Sequence, residues 1–303
     1  MSDVIKLSAF ADEADKSLEG QISALEENGI PLLEIRGVDG KNVSDITLKE
    51  AEEIRKKLDL HGISVWSIGS PFGKIEIKDD FAPHFEKFSK TLEVSNVLGA
   101  KRMRIFSFYH TDVPVSCGLF DSVCERLSRF AELSEKHGVI LCHENEKGIY
   151  GDTAQRCEKI HLSLPDIKSV FDPANFAVCG EDVIKAWETL GKYCEYLHIK
   201  DVDAKGETTP PGMGICEIEK LTKLYKGNGG IVATLEPHLP VFDGFSSLEK
   251  EGEKTNIVCR YKTQREAFDA AVIAYKNIIK EGMFAKHLKN GFATLKVLIV
   301  KCG

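Results

Sequence analysis

Eight short aliphatic or β-branched runs alternate strictly with eight amphipathic stretches, and this alternation constrains the chain more than any other feature. The runs read as strands are Val4–Ala9, Pro31–Arg36, Ile63–Gly69, Arg102–Phe108, Val139–Glu144, Ile167–Asp172, Tyr196–Lys200 and Gly230–Glu236. Between them apolar residues recur every three or four positions, the spacing that lines one face of a helix. Leu18, Ile22 and Leu25 before Gly29 form the first such stretch, and Ile46 to Leu60 before Gly62 the second. Phe85–Leu98 before Gly99 and Val123–His137 before Gly138 follow, then Thr153–Leu162, Asp182–Leu190, Ile218–Tyr225 and Gln264–Glu281. A glycine just past the last periodic residue can take the left-handed conformation that ends a helix.

Parallel strands need helical crossovers, and eight such units can close into a barrel with no exposed edge. The sequence therefore predicts an α/β chain folded as a single-domain (β/α)8 TIM barrel over residues 1–283. A doubly wound open sheet is the rival, but it places a glycine-rich phosphate turn after its first strand. Ser8-Ala9-Phe10-Ala11-Asp12 holds no such turn. Residues 284–303 fall outside the repeat, with Lys286, Lys289, Lys296 and Lys301 around the apolar run Leu295–Val300. They are read as a tail packed outside the barrel, in preference to an oligomer contact or an added strand.

Charge excludes several roles. Lys and Arg number 40 against 47 Asp and Glu, a net charge of −7. With no basic stripe to neutralise phosphates, nucleic acid is not an expected partner. No apolar run reaches the roughly 18 residues that a membrane helix needs. Met1 to Lys6 lacks the basic and apolar regions of a signal peptide. Nine cysteines without a CxxC pair argue against a disulfide framework or a thiolate zinc site. The expectation is a reduced, cytoplasmic protein.

In a (β/α)8 barrel, side chains at the carboxyl ends of the strands converge on one mouth. The last four runs end in Glu144, Asp172, His198 and Glu236, separated by 28, 26 and 38 residues, about one βα unit each. Singly, a strand-end carboxylate caps a helix or meets a lysine. In register, three carboxylates and an imidazole suit one hard divalent ion, with coordination positions left for water or substrate. Without a cation the carboxylates would repel one another. One divalent metal is the expected cofactor, Mn²⁺ first, with Mg²⁺, Co²⁺ or Zn²⁺ as alternatives.

Other residues fall near this mouth. Lys200 shares strand parity with His198 and so can face it, to bind a substrate oxygen or phosphate or to pair with a carboxylate such as Asp201. Asn175 either bonds a substrate hydroxyl or serves the turn after Pro173. Arg104 is buried by pattern, paired with substrate, with Glu34 or with another strand carboxylate. His143 has the opposite parity to Glu144 and reads as structural. His238 lies in the loop after the last strand, and Tyr109 and His110 follow the fourth. Phe10 and Trp66 offer apolar surface to the mouth or the core. Residues 210–212 and 240–262 read as loops over the mouth.

The chain resembles the sugar phosphate isomerase/epimerase group of the xylose isomerase-like barrels, a superfamily that also holds endonuclease IV and inosose dehydratase. The resemblance rests on His143-Glu144-Asn145-Glu146-Lys147-Gly148-Ile149-Tyr150-Gly151-Asp152-Thr153, Phe171-Asp172-Pro173-Ala174-Asn175-Phe176 and His198-Ile199-Lys200-Asp201. Thr234-Leu235-Glu236-Pro237-His238-Leu239 and Ser67-Ile68-Gly69-Ser70-Pro71-Phe72-Gly73-Lys74 complete it, so that it covers about residues 4–282. Members with one metal ligate it by Glu, Asp, His and Glu from strands five to eight, here Glu144, Asp172, His198 and Glu236. The chain departs from the family in Pro211-Gly212-Met213-Gly214-Ile215-Cys216-Glu217, where an Asp and a later Gly are replaced. Strand three offers Ser67, Gly69 and Ser70 in place of the histidines that a three-zinc nuclease needs.

The resemblance implies a metal-dependent isomerase or epimerase acting on a small sugar or sugar phosphate through an enediolate. Glu144 and Glu236 would be its acid/base pair, with Lys200, Asn175 and Arg104 as substrate contacts. A lyase of the inosose dehydratase kind, using the same metal, is the nearest alternative. A nuclease-type hydrolase and a barrel that only binds sugar stand further off. The expected partner is a small sugar, with assembly into a homo-oligomer left open.

Overall fold

The alternation is realised as a ring of eight parallel strands. In the computed structural model, which describes residues 5–239 and 261–280, the strands form one closed barrel. They are β1 (Lys6–Ala9), β2 (Leu32–Ile35), β3 (Ser64–Ile68), β4 (Arg102–Ile105), β5 (Ile140–Glu144), β6 (Lys168–Phe171), β7 (Cys194–Ile199) and β8 (Val232–Leu235). Each pairs with its sequence neighbours, and β8 closes on β1 with Ser8 opposite Thr234. The closed ring itself has no open strand edge.

Around the ring run α1 (Leu18–Glu27), α2 (Leu48–Leu60), α3 (Phe81–Leu98), α4 (Cys117–His137), α5 (Ala154–Ser163), α6 (Pro173–Val178), α7 (Val183–Leu190), α8 (Ile218–Gly227) and a helix over 264–280. Local chemistry explains where they begin. At α2 the Thr47 hydroxyl accepts from the Glu50 amide and the Glu50 carboxylate accepts from the Thr47 amide, a reciprocal capping box. The anticipated stops at Gly99 and Gly138 have φ of 75° and 65°, where a β-carbon would be strained.

Several boundaries differ from the sequence expectation. α3 begins at Phe81 rather than Phe85, and α4 at Cys117 rather than Val123, because Asp80 and Ser116 cap them one or two turns earlier. The fourth strand stops at Ile105. Beyond it Phe106 and Phe108 donate their amides to the carbonyls of Phe72 and Gly73, so the chain follows the loop after β3 instead of the sheet. α6 is an additional helix, begun by Asp172 as N-cap with Pro173 in its first turn. Residues 240–260 and the tail 284–303 lie outside the described residues.

The main core lies between barrel and helices. Phe72, Phe81, Phe85, Phe88 and Phe130 pack ring against ring where the loop after β3 meets α3 and α4. Inside the barrel Cys142, Val170 and Tyr196 form a separate apolar layer with Trp66. Each of the first three stands two residues before the strand-end polar group on its own strand, as the two-residue side-chain period requires. Among the described residues no helix is long and apolar enough to cross a membrane.

Candidate metal centre

The strand ends bring Glu144, Asp172, His198 and Glu236 together. One ligand atom from each lies within 4.8 Å of the others, and all four residues are buried. His198 Nδ1 is 3.2 Å from Glu144 Oε1 and 3.0 Å from Glu236 Oε2. Glu144 Oε2, Asp172 Oδ2 and Glu236 Oε2 are buried without a hydrogen bond. Their charged neighbours are Arg104, Lys200 and His198, at 3.1, 2.9 and 3.0 Å. Buried oxygens seldom lack hydrogen bonds, and convergent ones with an imidazole nitrogen are the donor set of an octahedral divalent ion.

Each ligand is held by a second group. Asn145 clamps the Asp172 backbone: its side-chain oxygen accepts from the Asp172 amide and its nitrogen donates to the Asp172 carbonyl, at 3.0 and 2.9 Å. The Asn175 amide donates to Asp172 Oδ1 at 2.8 Å, as the N-cap of α6 requires, which directs Oδ2 toward the cluster. The Asn175 side chain donates to Glu144 Oε1 at 3.3 Å and to the Asn145 carbonyl at 2.9 Å. Arg36 lies 3.1 Å from Glu236 and is itself bidentate to Asp12, at 2.9 and 3.1 Å. Arg104 spans Glu144 and Glu236, and the Phe10 ring underlies both guanidinium groups at 4.5 and 5.0 Å. Glu13, Glu236 and His238 form a second group of ligand-type atoms sharing Glu236 with the first, but Arg36 already faces Glu13 and Glu236.

Negative charge is in excess here, since Asp12, Glu13, Glu34, Glu144, Asp172 and Glu236 are buried around Arg36, Arg104 and Lys200. The protonation equilibria carry the strain. Burial pushes the Asp172 carboxyl up to about 6 even with Lys200 beside it. It lifts Glu13 to about 8 against the pull of Arg36. Glu144 instead falls to about 2, because His198 and Arg104 outweigh the effect of burial. Glu236 is likewise held below the usual range, burial being overcome by Lys200 and His198. Burial would neutralise His198, but Glu144, Glu34 and Glu236 hold it protonated well above its ordinary range. A divalent cation would displace that proton and offset the excess charge, which is the sense in which this donor set fits a metal.

The sequence profile of the family described as Xylose isomerase-like TIM barrel matches residues 22–252. The chain belongs to this family. Inosose dehydratase of Mesomycoplasma hyopneumoniae (strain J) is 27% identical over 201 residues, 62% of this chain and 63% of that protein. The matched segment thus spans less than two thirds of those curated relatives. Among solved structures, L-ribulose 3-epimerase superposes with a TM-score of 0.71 at 16% identity, covering 94% of this chain and 97% of that one. The IOLI protein with a bound zinc atom gives 0.68 at 17%, covering 91% and 99%. D-psicose 3-epimerase with D-tagatose, from Clostridium cellulolyticum H10, gives 0.69 at 15%, also covering 91% and 99%. At these identities the structural likeness concerns the fold.

Of the residues singled out from sequence, the four strand-end groups meet, and Lys200, Asn175 and Arg104 surround them. Lys200 pairs with Asp172 rather than Asp201. Arg104 takes Glu144 and Glu236 rather than Glu34. Asn175 sits in the first turn of α6, not in a turn after Pro173. His143 lies beside Gly151 and the His161 ring, away from the ligands. Phe10 meets the site while Trp66 belongs to the apolar layer inside the barrel. Sequence reasoning missed Asp12, Glu13 and Arg36. Reading strand ends for β1 and β2 as for β5–β8 would have found them.

Proposed function

We propose that this chain is a divalent-metal-dependent isomerase or epimerase of a small polyhydroxylated carbonyl compound, with Glu144, Asp172, His198 and Glu236 as metal ligands. The observation that carries the reading is the convergence of four buried ligand-type atoms, three of them carboxylate oxygens and one an imidazole nitrogen. A bound divalent cation supplies Lewis acidity that polarises a carbonyl and eases removal of a proton from the neighbouring carbon. In the metal-free chain Glu144 and Glu236 are both held ionised, the form a base needs before it takes a proton. One, as base, removes the proton from carbon; the other, once it has taken up a proton from solvent, delivers it to the opposite face for epimerisation, whereas isomerisation returns the abstracted proton to the adjacent carbon. Arg104 and Arg36 keep the two carboxylates apart and oriented, Lys200 and Asn175 stand where substrate oxygens would meet them, and Phe10 excludes water beneath.

The curated relatives favour a second reading, a dehydratase that removes the same proton but expels a hydroxyl instead of returning it. Incubation with Mn²⁺ and a panel of ketohexoses, pentuloses and inososes in D₂O, followed by proton NMR, separates the two. Deuterium beside the carbonyl together with a new stereoisomer supports the isomerase. Loss of water with an unsaturated carbonyl product supports the lyase. A metal-loaded protein that exchanges no proton in any member of the panel overturns both.

A further inference from the structure

Four polar side chains inside the barrel form a single file that ends at the metal centre. Ser67 Oγ lies 3.0 Å from the Tyr196 hydroxyl oxygen, and the Tyr196 hydroxyl donates to Glu34 Oε1 at 2.7 Å. Glu34 Oε2 lies 3.2 Å from His198 Nε2. All four residues are fully buried. The pairing register between β2 and β3 shifts between Leu33 and Glu34, so that Glu34 lies opposite Ser67 rather than Trp66. A bulge of this kind re-aims side chains, and here it brings both polar residues to Tyr196.

Proton bookkeeping orders the file. With the Tyr196 proton committed to Glu34, Ser67 must be the donor to the Tyr196 oxygen. Glu34, an acceptor on both oxygens, then needs a proton on His198 Nε2. Once a cation displaces the Nδ1 proton, that tautomer turns the Nδ1 lone pair toward the space between Glu144 and Glu236. We propose that Glu34 is a positioning residue for the metal centre: it fixes the tautomer and orientation of His198 and raises its basicity as a ligand, while Ser67 and Tyr196 hold Glu34 in place. This rests on the metal reading above, and it adds a residue from the opposite half of the barrel to the machinery.

The test is calorimetric titration of the wild-type chain, Glu34→Gln, Glu34→Asp and Tyr196→Phe with Zn²⁺, alongside ¹⁵N NMR of the zinc-loaded, histidine-labelled wild type. Carboxylate partners of metal-bound histidines are typically worth about 10–100-fold in affinity, so Glu34→Gln should weaken Zn²⁺ binding by about that factor. Glu34→Asp should recover part of the loss, and Tyr196→Phe should cost less than Glu34→Gln. The His198 spectrum should show a protonated Nε2 and a zinc-shifted Nδ1. Wild-type affinity in Glu34→Gln overturns the role of Glu34 while leaving the metal reading intact; so does zinc on Nε2. A wild-type chain that binds no Zn²⁺ overturns the metal reading itself. Should Glu34→Gln fail to fold, the wild-type spectrum and Tyr196→Phe still decide the matter.

Discussion

The two halves of the barrel furnish the same mouth with different kinds of residue. From β5 to β8 come the converging donors, Glu144, Asp172, His198 and Glu236. From β1 to β4 and the loops after them come Phe10, Asp12, Arg36, Glu34 and Arg104, which touch those donors or touch each other behind them. On the proposed reading the second half grips a cation and the first holds the grip in shape. A cluster of like charges can therefore be buried before any ion arrives, because guanidinium groups from across the ring reach its carboxylates.

That contrast can be broken or sharpened by experiment. The largest effect is expected from Glu144→Gln and Glu236→Gln, each of which should lower turnover by about 10²–10⁴-fold, the usual worth of a general acid or base. The far-UV circular dichroism should be unchanged, and wild-type turnover in both variants would remove them from the chemistry. In the opposite half, Arg36→Gln and Arg104→Gln each leave buried carboxylates without their partner, a change that typically costs about 3–5 kcal/mol. Chemical denaturation should register this loss, and added Mn²⁺ should restore part of it. If the loss is as large with Mn²⁺ as without, cation and guanidinium are not sharing one charge-balancing task. A smaller effect follows from pH. Glu13 and His198 retain protons in the folded, metal-free chain at pH values where the unfolded chain has released them. Stability conferred by such raised groups is lost as pH rises, so the metal-free melting temperature should fall between about pH 6.5 and 8. Each retained proton is worth about 1–2 kcal/mol over that window. The stabilisation by added Mn²⁺ should grow over the same interval, and a flat profile would count against the charge excess.

The grip was readable in the sequence because it follows strand period and unit length. Glu144, Asp172, His198 and Glu236 each end an apolar run, and the spacing between them is that of one βα unit. The support was harder to read. Arg36 reaches Glu236 across the join between first and last strand, a contact of two hundred residues in sequence that exists only once the barrel closes. Glu34 alternates correctly for an inward side chain, but its link to His198 also spans the ring, from β2 to β7, and with Tyr196 depends on the register shift beside it. Helix starts were legible only as caps: Asp80 and Ser116 mark them, whereas apolar spacing alone placed them later.

Asp201 has a consequence of its own for how this protein can change. Its two carboxylate oxygens accept from the backbone amides of Val202, Gly212, Gly214 and Cys216, and Asp203 accepts from those of Lys205 and Glu207, so the shape of the segment after β7 depends on main-chain groups and two acids. Gly214 is fixed by that arrangement, since a β-carbon there would lie 2.2 Å from Asp201. Met213 and Ile215, 71% and 52% exposed, contribute to the anchoring through their amides, which donate to the carbonyls of Pro210 and Val202, and not through their side chains. Evolution or a directed library can vary these two side chains and alter the exposed surface after β7, while the segment itself stays where Asp201 pins it.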